Sequence, residues 1–117
     1  LIETRSIDIL QPDVTWCGGL TELLRISSMA AAYDIPVVPH GSGAYSYHFV
    51  ISQPHCPFCE YLNTSPDCLS FPSVFGNLFE NEILPVNGKI KLDDEPGFGM
   101  NLNRNNLNMN RVFPSNE

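Results

Sequence analysis

The chain has 117 residues, 43% of them hydrophobic and 16% charged, with a net charge of -7, a profile of one soluble, globular domain. Its six Lys and Arg are scattered, so a phosphate-backbone partner, which requires clustered positive charge, is not expected. No apolar run reaches the roughly 20 residues that span a bilayer, and Leu1-Ile-Glu-Thr-Arg5 lacks the basic start and apolar core of a signal peptide, so a cytoplasmic protein without nucleic-acid or membrane partners is expected.

Ile7-Asp8-Ile9-Leu10-Gln11 is rich in branched apolar residues and is closed by Pro12-Asp13, which predicts a strand running into a loop. After Gly18-Gly19, the apolar residues Leu20, Leu23, Leu24, Ile26, Ala30 and Tyr33 recur at helical spacing, with Thr21, Arg25, Ser28 and Ala32 on a more polar stripe. That pattern predicts one amphipathic helix. Ile35-Pro-Val-Val-Pro39 reads as a buried strand, so residues 7 to 39 form a βαβ unit with two parallel neighbouring strands. Tyr45 to Gln53 reads as a second helix ended by Pro54, and Pro57 to Leu62 as a third strand.

From Asn63 the character changes to a long connection. Asn87-Gly88, within Leu84 to Leu92, is a hairpin-turn signal between short β runs. Residues 101 to 110 contain six Asn in ten, a composition that predicts turns and a loosely held tail. The expected organisation is therefore an α/β unit over 1–62 and an extension with a β-hairpin and an Asn-rich tail over 63–117.

Three strands and two helices cannot close a parallel sheet, which normally has both faces covered and no long bare edge. A (β/α)₈ barrel takes about 250 residues, so this piece fits the last three βα steps of an incomplete barrel, with the remainder before Leu1. The opening Leu in place of Met leaves room for such upstream sequence. A small three-strand α/β domain, complete as it stands, is the other reading.

Functional residues in parallel α/β sheets gather beyond the C-terminal ends of strands, where Asp13, His40 and Glu60 are expected. Adjacent strands lie about 4.8 Å apart, so side chains at neighbouring strand ends can meet although they are distant in sequence. An ionised Asp beside a His favours the imidazolium and fixes which ring nitrogen faces a substrate; Glu60 adds a hydrogen-bonding carboxyl at the same cavity mouth. A His after a strand is equally a structural loop residue, and both readings stay open on these grounds.

Cys56-Pro-Phe-Cys59 has the Cys-x-x-Cys spacing of thioredoxin-like redox centres, but it follows a helix and enters a strand, the reverse of the usual context. A zinc site from His55, Cys56, Cys59 and Cys68 is possible by residue type. The simpler reading makes all four cysteines free thiols, with Cys17 and Cys68 as packing residues. Trp16 reads as a packing residue, His48 as a half-buried helical His near the site, and His55 has no assigned role. Asp93-Asp94-Glu95 reads as a solvated turn, not a metal site.

Gln11-Pro-Asp-Val-Thr-Trp-Cys-Gly-Gly19, Pro36-Val-Val-Pro-His-Gly-Ser42 and Glu60-Tyr-Leu-Asn63 together resemble, in order and spacing, the end of the barrel in the mandelate-racemase-like branch of the enolase superfamily. Gly43-Ala-Tyr-Ser-Tyr-His48 and Pro96-Gly-Phe-Gly99 resemble most the L-rhamnonate dehydratases of that branch. The resemblance implies that His40 is the catalytic base, that Asp13 forms a dyad with it, and that Glu60 binds the substrate carboxylate or its enediolate form. It implies a Mg²⁺-dependent hydro-lyase converting L-rhamnonate to 2-dehydro-3-deoxy-L-rhamnonate and water, by α-proton abstraction and loss of the β-hydroxyl. It also places the three Mg²⁺ ligands and a capping domain upstream of this chain, allows a homo-oligomeric full-length enzyme, and leaves this fragment inactive alone. The alternatives are a redox or zinc module using Cys56 and Cys59, and a non-catalytic remnant.

Overall fold

The computed structural model describes residues 1–41 and 43–106. Ser42 of the resemblance motif and residues 107–110 of the Asn-rich run lie outside the described residues, with the rest of 107–117.

Helix α1 spans Leu20–Ala31 and buries Leu23, Ser27 and Ala30, one stripe at the i, i+4, i+7 spacing of a helix face. Leu24 and Tyr33, expected on that stripe, are instead exposed, and Ser27 takes a buried place that its polarity did not suggest. Glu22 sits in the first turn, where the helix dipole favours negative charge, and pairs with Arg25 at 3.1 Å; exposed pairs of this kind contribute little. The helix ends in a reversal: Ile35 N–H donates to Ala30 O at 3.0 Å and Asp34 N–H to Ala31 O at 3.2 Å, with Asp34 at φ 57°. This is the Schellman pattern, which satisfies carbonyls that a helix end leaves open.

Helix α2 spans Ala44–Ser52 and buries Ala44, Ser46, Tyr47 and Phe49. Gln53 follows in extended conformation, as a residue before proline must, because the Pro54 ring clashes with a helical predecessor.

The three expected strands do not form as strands among the described residues. The first two segments meet only at isolated parallel bridges, Leu10 with Val37 and Asp13 with His40. The bridges lie three residues apart on both sides, so the expected parallel register is kept. Leu10 N–H donates to Pro36 O at 3.0 Å, Val38 N–H to Leu10 O at 2.9 Å, and His40 N–H to Pro12 O at 3.0 Å. Pro12 and Pro36 have no N–H to give, so the ladder is broken where a continuous strand would need them. Residues 57–62 carry no ladder, and two prolines, Pro54 and Pro57, bracket their entry.

Val14, Leu23, Ala30, Ile35, Val37 and Phe49 form the core, with Ile2, Ile7, Leu10, Cys17, Leu20, Tyr45, Val50 and Cys56 partly buried around it. Leu23, Val37 and Phe49 are at most 2% exposed, and full burial of such a side chain stabilises by about 1.5–3 kcal/mol. Cys68, expected to pack, is exposed, and Trp16, expected to pack at a barrel rim, is 87% exposed in this chain; each sits in a turn.

In the extension, Asn87 and Gly88 both have positive φ, and Val86 and Lys89 exchange hydrogen bonds of 2.8 and 3.1 Å across them. A tight turn with the primed geometry therefore forms where Asn-Gly predicted one, but its pairing stops at that single bridge. Residues 101–106 are not a loose tail. Glu80 N–H donates to Asn101 O and Asn103 N–H to Leu78 O, each at 2.9 Å, Asn101 N–H reaches Asn81 Oδ1 at 2.8 Å, and Arg104–Asn106 form a 3₁₀ turn. The backbone of Asn101 and Asn103 finds partners on the 78–81 segment and the Asn106 side chain donates to Asn77 O at 3.3 Å, which composition could not reveal. The extension returns to the α/β unit through Phe98, whose ring packs edge-on to Tyr45 at 6.4 Å and tilted on His48 at 5.8 Å.

Candidate active site

The proline-rich ends of the two bridged segments place Asp13 and His40 side by side. His40 follows Pro39, which is buried with Val37 and Val38, so its backbone is fixed while its side chain remains 53% exposed. Asp13 opens a turn: its Oδ1 accepts the Thr15 N–H at 2.7 Å, the Thr15 hydroxyl at 2.5 Å and the Trp16 N–H at 3.3 Å. The Thr15 hydroxyl does most to hold the Asp13 carboxyl below its ordinary 3.8; the backbone N–H groups of Thr15 and Trp16 and the charge of His40 act with it, against partial burial. Hydrogen bonds to a carboxylate favour its charged form.

Glu60 completes the cluster from the segment after α2. Its Oε2 lies 2.9 Å from His40 Nδ1 and also accepts the backbone N–H of Gly41 in a very short hydrogen bond. Gly41 has φ 84°, a left-handed conformation that side chains disfavour, and an added Cβ there would stand 3.9 Å from Asp13 Oδ2. The turn after His40 thus presents its N–H to Glu60 while passing close to Asp13. His40 Nδ1 is thus met by Glu60, while Asp13 Oδ1 accepts from its own turn and Asp13 is paired with His40 across the backbone bridge.

Tyr45 borders the same region. Burial, chiefly, and the Asp13 charge raise its phenol above the ordinary 10.0. An added Cβ at Gly43 would come within 2.8 Å of the Tyr45 ring, so the absence of a side chain there is what lets the ring fold back over the helix start. His48 is half-buried, and its Nε2 has no hydrogen-bond partner.

Asp13, His40 and Glu60 are therefore brought together; the cysteines are not brought to them. All four cysteines are free, and burial pushes the Cys56 and Cys59 thiols above their ordinary 9.0, the reverse of an activated redox thiol. His55 turns away to Ser27 at 3.0 Å. Among the described residues no group of three or more His, Cys, Asp or Glu is arranged to hold a metal ion, and Asp93, Asp94 and Glu95 are exposed. Sequence reasoning missed the Gly41 N–H and the buried Ser27; the glycine after His40 was the available signal for the first, and nothing signalled the second.

Residues 1–106 match the family described as enolase C-terminal domain-like. The chain belongs to that family. Among other enolase-type proteins, the L-rhamnonate dehydratase of Saccharopolyspora erythraea is 48% identical over 103 residues, 88% of this chain and 26% of the relative. The crystal structure of L-rhamnonate dehydratase from Gibberella zeae is 57% identical, with a TM-score of 0.81 over 88% of this chain and 27% of that one; the rhamnonate dehydratase from Gibberella zeae has also been solved complexed with Mg, where the TM-score is 0.79, at 57% identity over 90% of this chain and 26% of that one. L-talarate dehydratase from Polaromonas, complexed with Mg and L-glucarate, is 26% identical with a TM-score of 0.71 over 90% of this chain and 26% of that one. The chain thus spans about a quarter of the length of these enolase-type relatives. No described helix is long and apolar enough to cross a membrane.

Proposed function

We propose that this chain supplies the proton-transfer residues of a sugar-acid dehydratase acting on L-rhamnonate, with residues 1–62 as the end of its (β/α) barrel and 63–117 as an extension packed against it. The observation that carries the proposal is the His40 cluster: Nδ1 is occupied by Glu60 Oε2 at 2.9 Å, which leaves Nε2 of a half-exposed ring to face a substrate. Identity of 57% to the Gibberella zeae enzyme supports L-rhamnonate over other sugar acids.

In this reading His40 Nε2 takes the proton α to the carboxylate, and the electron pair moves into the carboxylate to give an enediolate. When that pair returns, the β-hydroxyl leaves with a proton delivered by the imidazolium, giving water and an enol that becomes the 2-dehydro-3-deoxy product. Base and acid are one residue in turn, so the ring must be held while its charge changes. Glu60 holds the ring through Nδ1 at 2.9 Å and Asp13 flanks it across the parallel bridge; Glu60 is also proposed to hydrogen-bond the substrate carboxylate or its enediolate form.

Mg²⁺ is proposed as the cofactor of the complete enzyme, by analogy with the Gibberella zeae complex. The described residues of this chain do not fit it, as no acidic set converges, so its ligands are assigned to sequence outside them and no step above runs through it. The 117-residue chain alone is proposed to be inactive. A cytoplasmic location and a homo-oligomeric complete enzyme belong to the same proposal. The test is production of 2-dehydro-3-deoxy-L-rhamnonate from L-rhamnonate by a full-length protein carrying this segment; a folded, Mg²⁺-loaded protein that binds L-rhamnonate without dehydrating it would overturn the reading.

A further inference from the structure

Behind the site runs a chain of hydrogen bonds whose direction can be worked out from one end. The Phe49 carbonyl can only accept, and it accepts the Ser52 hydroxyl at 2.7 Å. With its proton committed, Ser52 Oγ accepts from Gln53 Nε2 at 3.1 Å. That orients the Gln53 amide so that Oε1 faces Ser27, whose hydroxyl donates to it at 3.2 Å. Ser27 has one proton and has spent it, so its 3.0 Å contact with His55 Nε2 requires His55 to be the donor. Each group has one consistent role, and the sequence of donors begins at His55 Nε2–H.

The chain joins elements that no sheet joins. Ser27, wholly buried, belongs to α1; Ser52 ends α2; Gln53 and His55 begin the segment that leads to Glu60. Cys56 N–H donates to Gln53 O at 3.1 Å, and the Cys56 thiol lies against the Val37 backbone. Residues 57–60 have no strand ladder, so the position of Glu60 depends on how the residues before it are anchored.

We propose that His55 is a positioning residue: as the Nε2–H donor to Ser27, it fixes the segment 53–60 on α1 and thereby sets the contact of Glu60 with His40. Its bearing on catalysis rests on the dehydratase reading; the geometry itself does not. Protonation of His55 at Nδ1 would leave the chain intact, so the device depends on a donor at Nε2 and not on charge.

The test is long-range ¹H–¹⁵N correlation spectroscopy on a full-length protein carrying this segment, ¹⁵N-labelled over the 117 residues alone, which reports the protonated nitrogen in each of the segment's three histidines. In the wild type, neutral His55 carries its proton on Nε2 and His40 carries its own on Nδ1, toward Glu60. In Ser27→Ala and His55→Phe the His40 Nδ1–H to Nε2–H ratio falls about threefold or more, the scale of losing one hydrogen bond's net contribution. His55→Gln, which restores an N–H donor at similar reach, keeps the ratio near the wild-type value. A His55 protonated on Nδ1 alone, an unchanged His40 ratio in folded Ser27→Ala, or free-imidazole ratios for all three wild-type rings overturns the proposal. If Ser27→Ala does not fold, the wild-type His55 tautomer and the His55→Gln ratio decide between the same outcomes. Failure of the dehydratase reading is measured separately, by turnover in the full-length enzyme.

Discussion

His40 and Glu60 meet through Nδ1 and Oε2 at 2.9 Å, although Asp13 is the residue paired with His40 across the parallel bridge. The ring is therefore shared between a carboxylate that holds its nitrogen and one that acts on it through charge. Glu60→Gln keeps an acceptor for Nδ1 but loses the carboxylate that holds the ring. In the full-length enzyme we expect kcat to fall about 10- to 100-fold, below the full general acid–base effect of 10²–10⁴. An unaltered kcat would show that Glu60 does not hold the ring for proton transfer.

His40→Asn removes the base and leaves some hydrogen bonding. Dehydration of L-rhamnonate is expected to fall at least about 1000-fold, within the range attributed to a positioned acid–base group, while Mg²⁺ binding by the same protein is retained. Turnover near the parental rate in a folded, metal-loaded variant would mean that another group takes the α-proton.

Asp13→Asn should be milder than His40→Asn, because imidazole remains. The variant also weakens the turn built on Thr15 and Trp16. Since the Asp13 carboxyl is held below 3.8, the wild-type turn gains from ionisation at neutral pH, and that gain is lost as pH falls from about 3.8 through the lower folded-state value. Acid titration of the Thr15 amide resonance checks this; a transition at or above pH 3.8 would contradict it.

Thiol reactivity separates the cysteines. Cys68 is exposed, whereas burial raises the thiols of Cys56 and Cys59, and it is the thiolate that reacts. With a disulfide reagent near pH 8, Cys68 is expected to be modified first, and Cys56 and Cys59 about tenfold more slowly. Stoichiometric zinc, or an oxidised Cys56–Cys59 pair under native conditions, would restore the redox or zinc reading.

Leu23 is wholly buried in α1 and belongs to the core with Val37 and Phe49. Leu23→Ala is expected to destabilise by about 2–5 kcal/mol through lost burial and a residual cavity, read from urea unfolding. A loss below about 1 kcal/mol would place Leu23 outside the cooperative core.

Both helices were legible because helical periodicity is local: Tyr45 to Gln53 was expected and Ala44–Ser52 is observed. The parallel relation of Leu10 with Val37 followed from the βαβ order. Apolar β-branched runs predict strands that do not form here, because Pro12 and Pro36 supply no donors to the ladder. The proximity of Asp13, His40 and Glu60 is legible from the places of Asp13 and His40 after those runs and of Glu60 toward the end of the 57–62 segment. The direct His40–Glu60 contact is not, because it depends on a segment with no periodicity. Ser27 was invisible for a related reason: its partners Gln53 and His55 lie 26 and 28 residues away, and a serine on an apolar stripe carries no mark of what it will bond.

The Leu10–Val37 and Asp13–His40 bridges bear on the order in which the molecule assembles. Helix α1 and its reversal at Asp34 close through bonds between near neighbours, but each bridge can form only after a loop containing all of α1 has closed, and that closure entropy is spent before the contact rewards it. We expect the helix to come first and the proton-handling cluster late, with Glu60 arriving only when α2 has docked. Pulsed hydrogen exchange that protected the His40 and Gly41 amides before those of α1 would reverse the order. This segment then has the shape of α1 well before it has any chemistry.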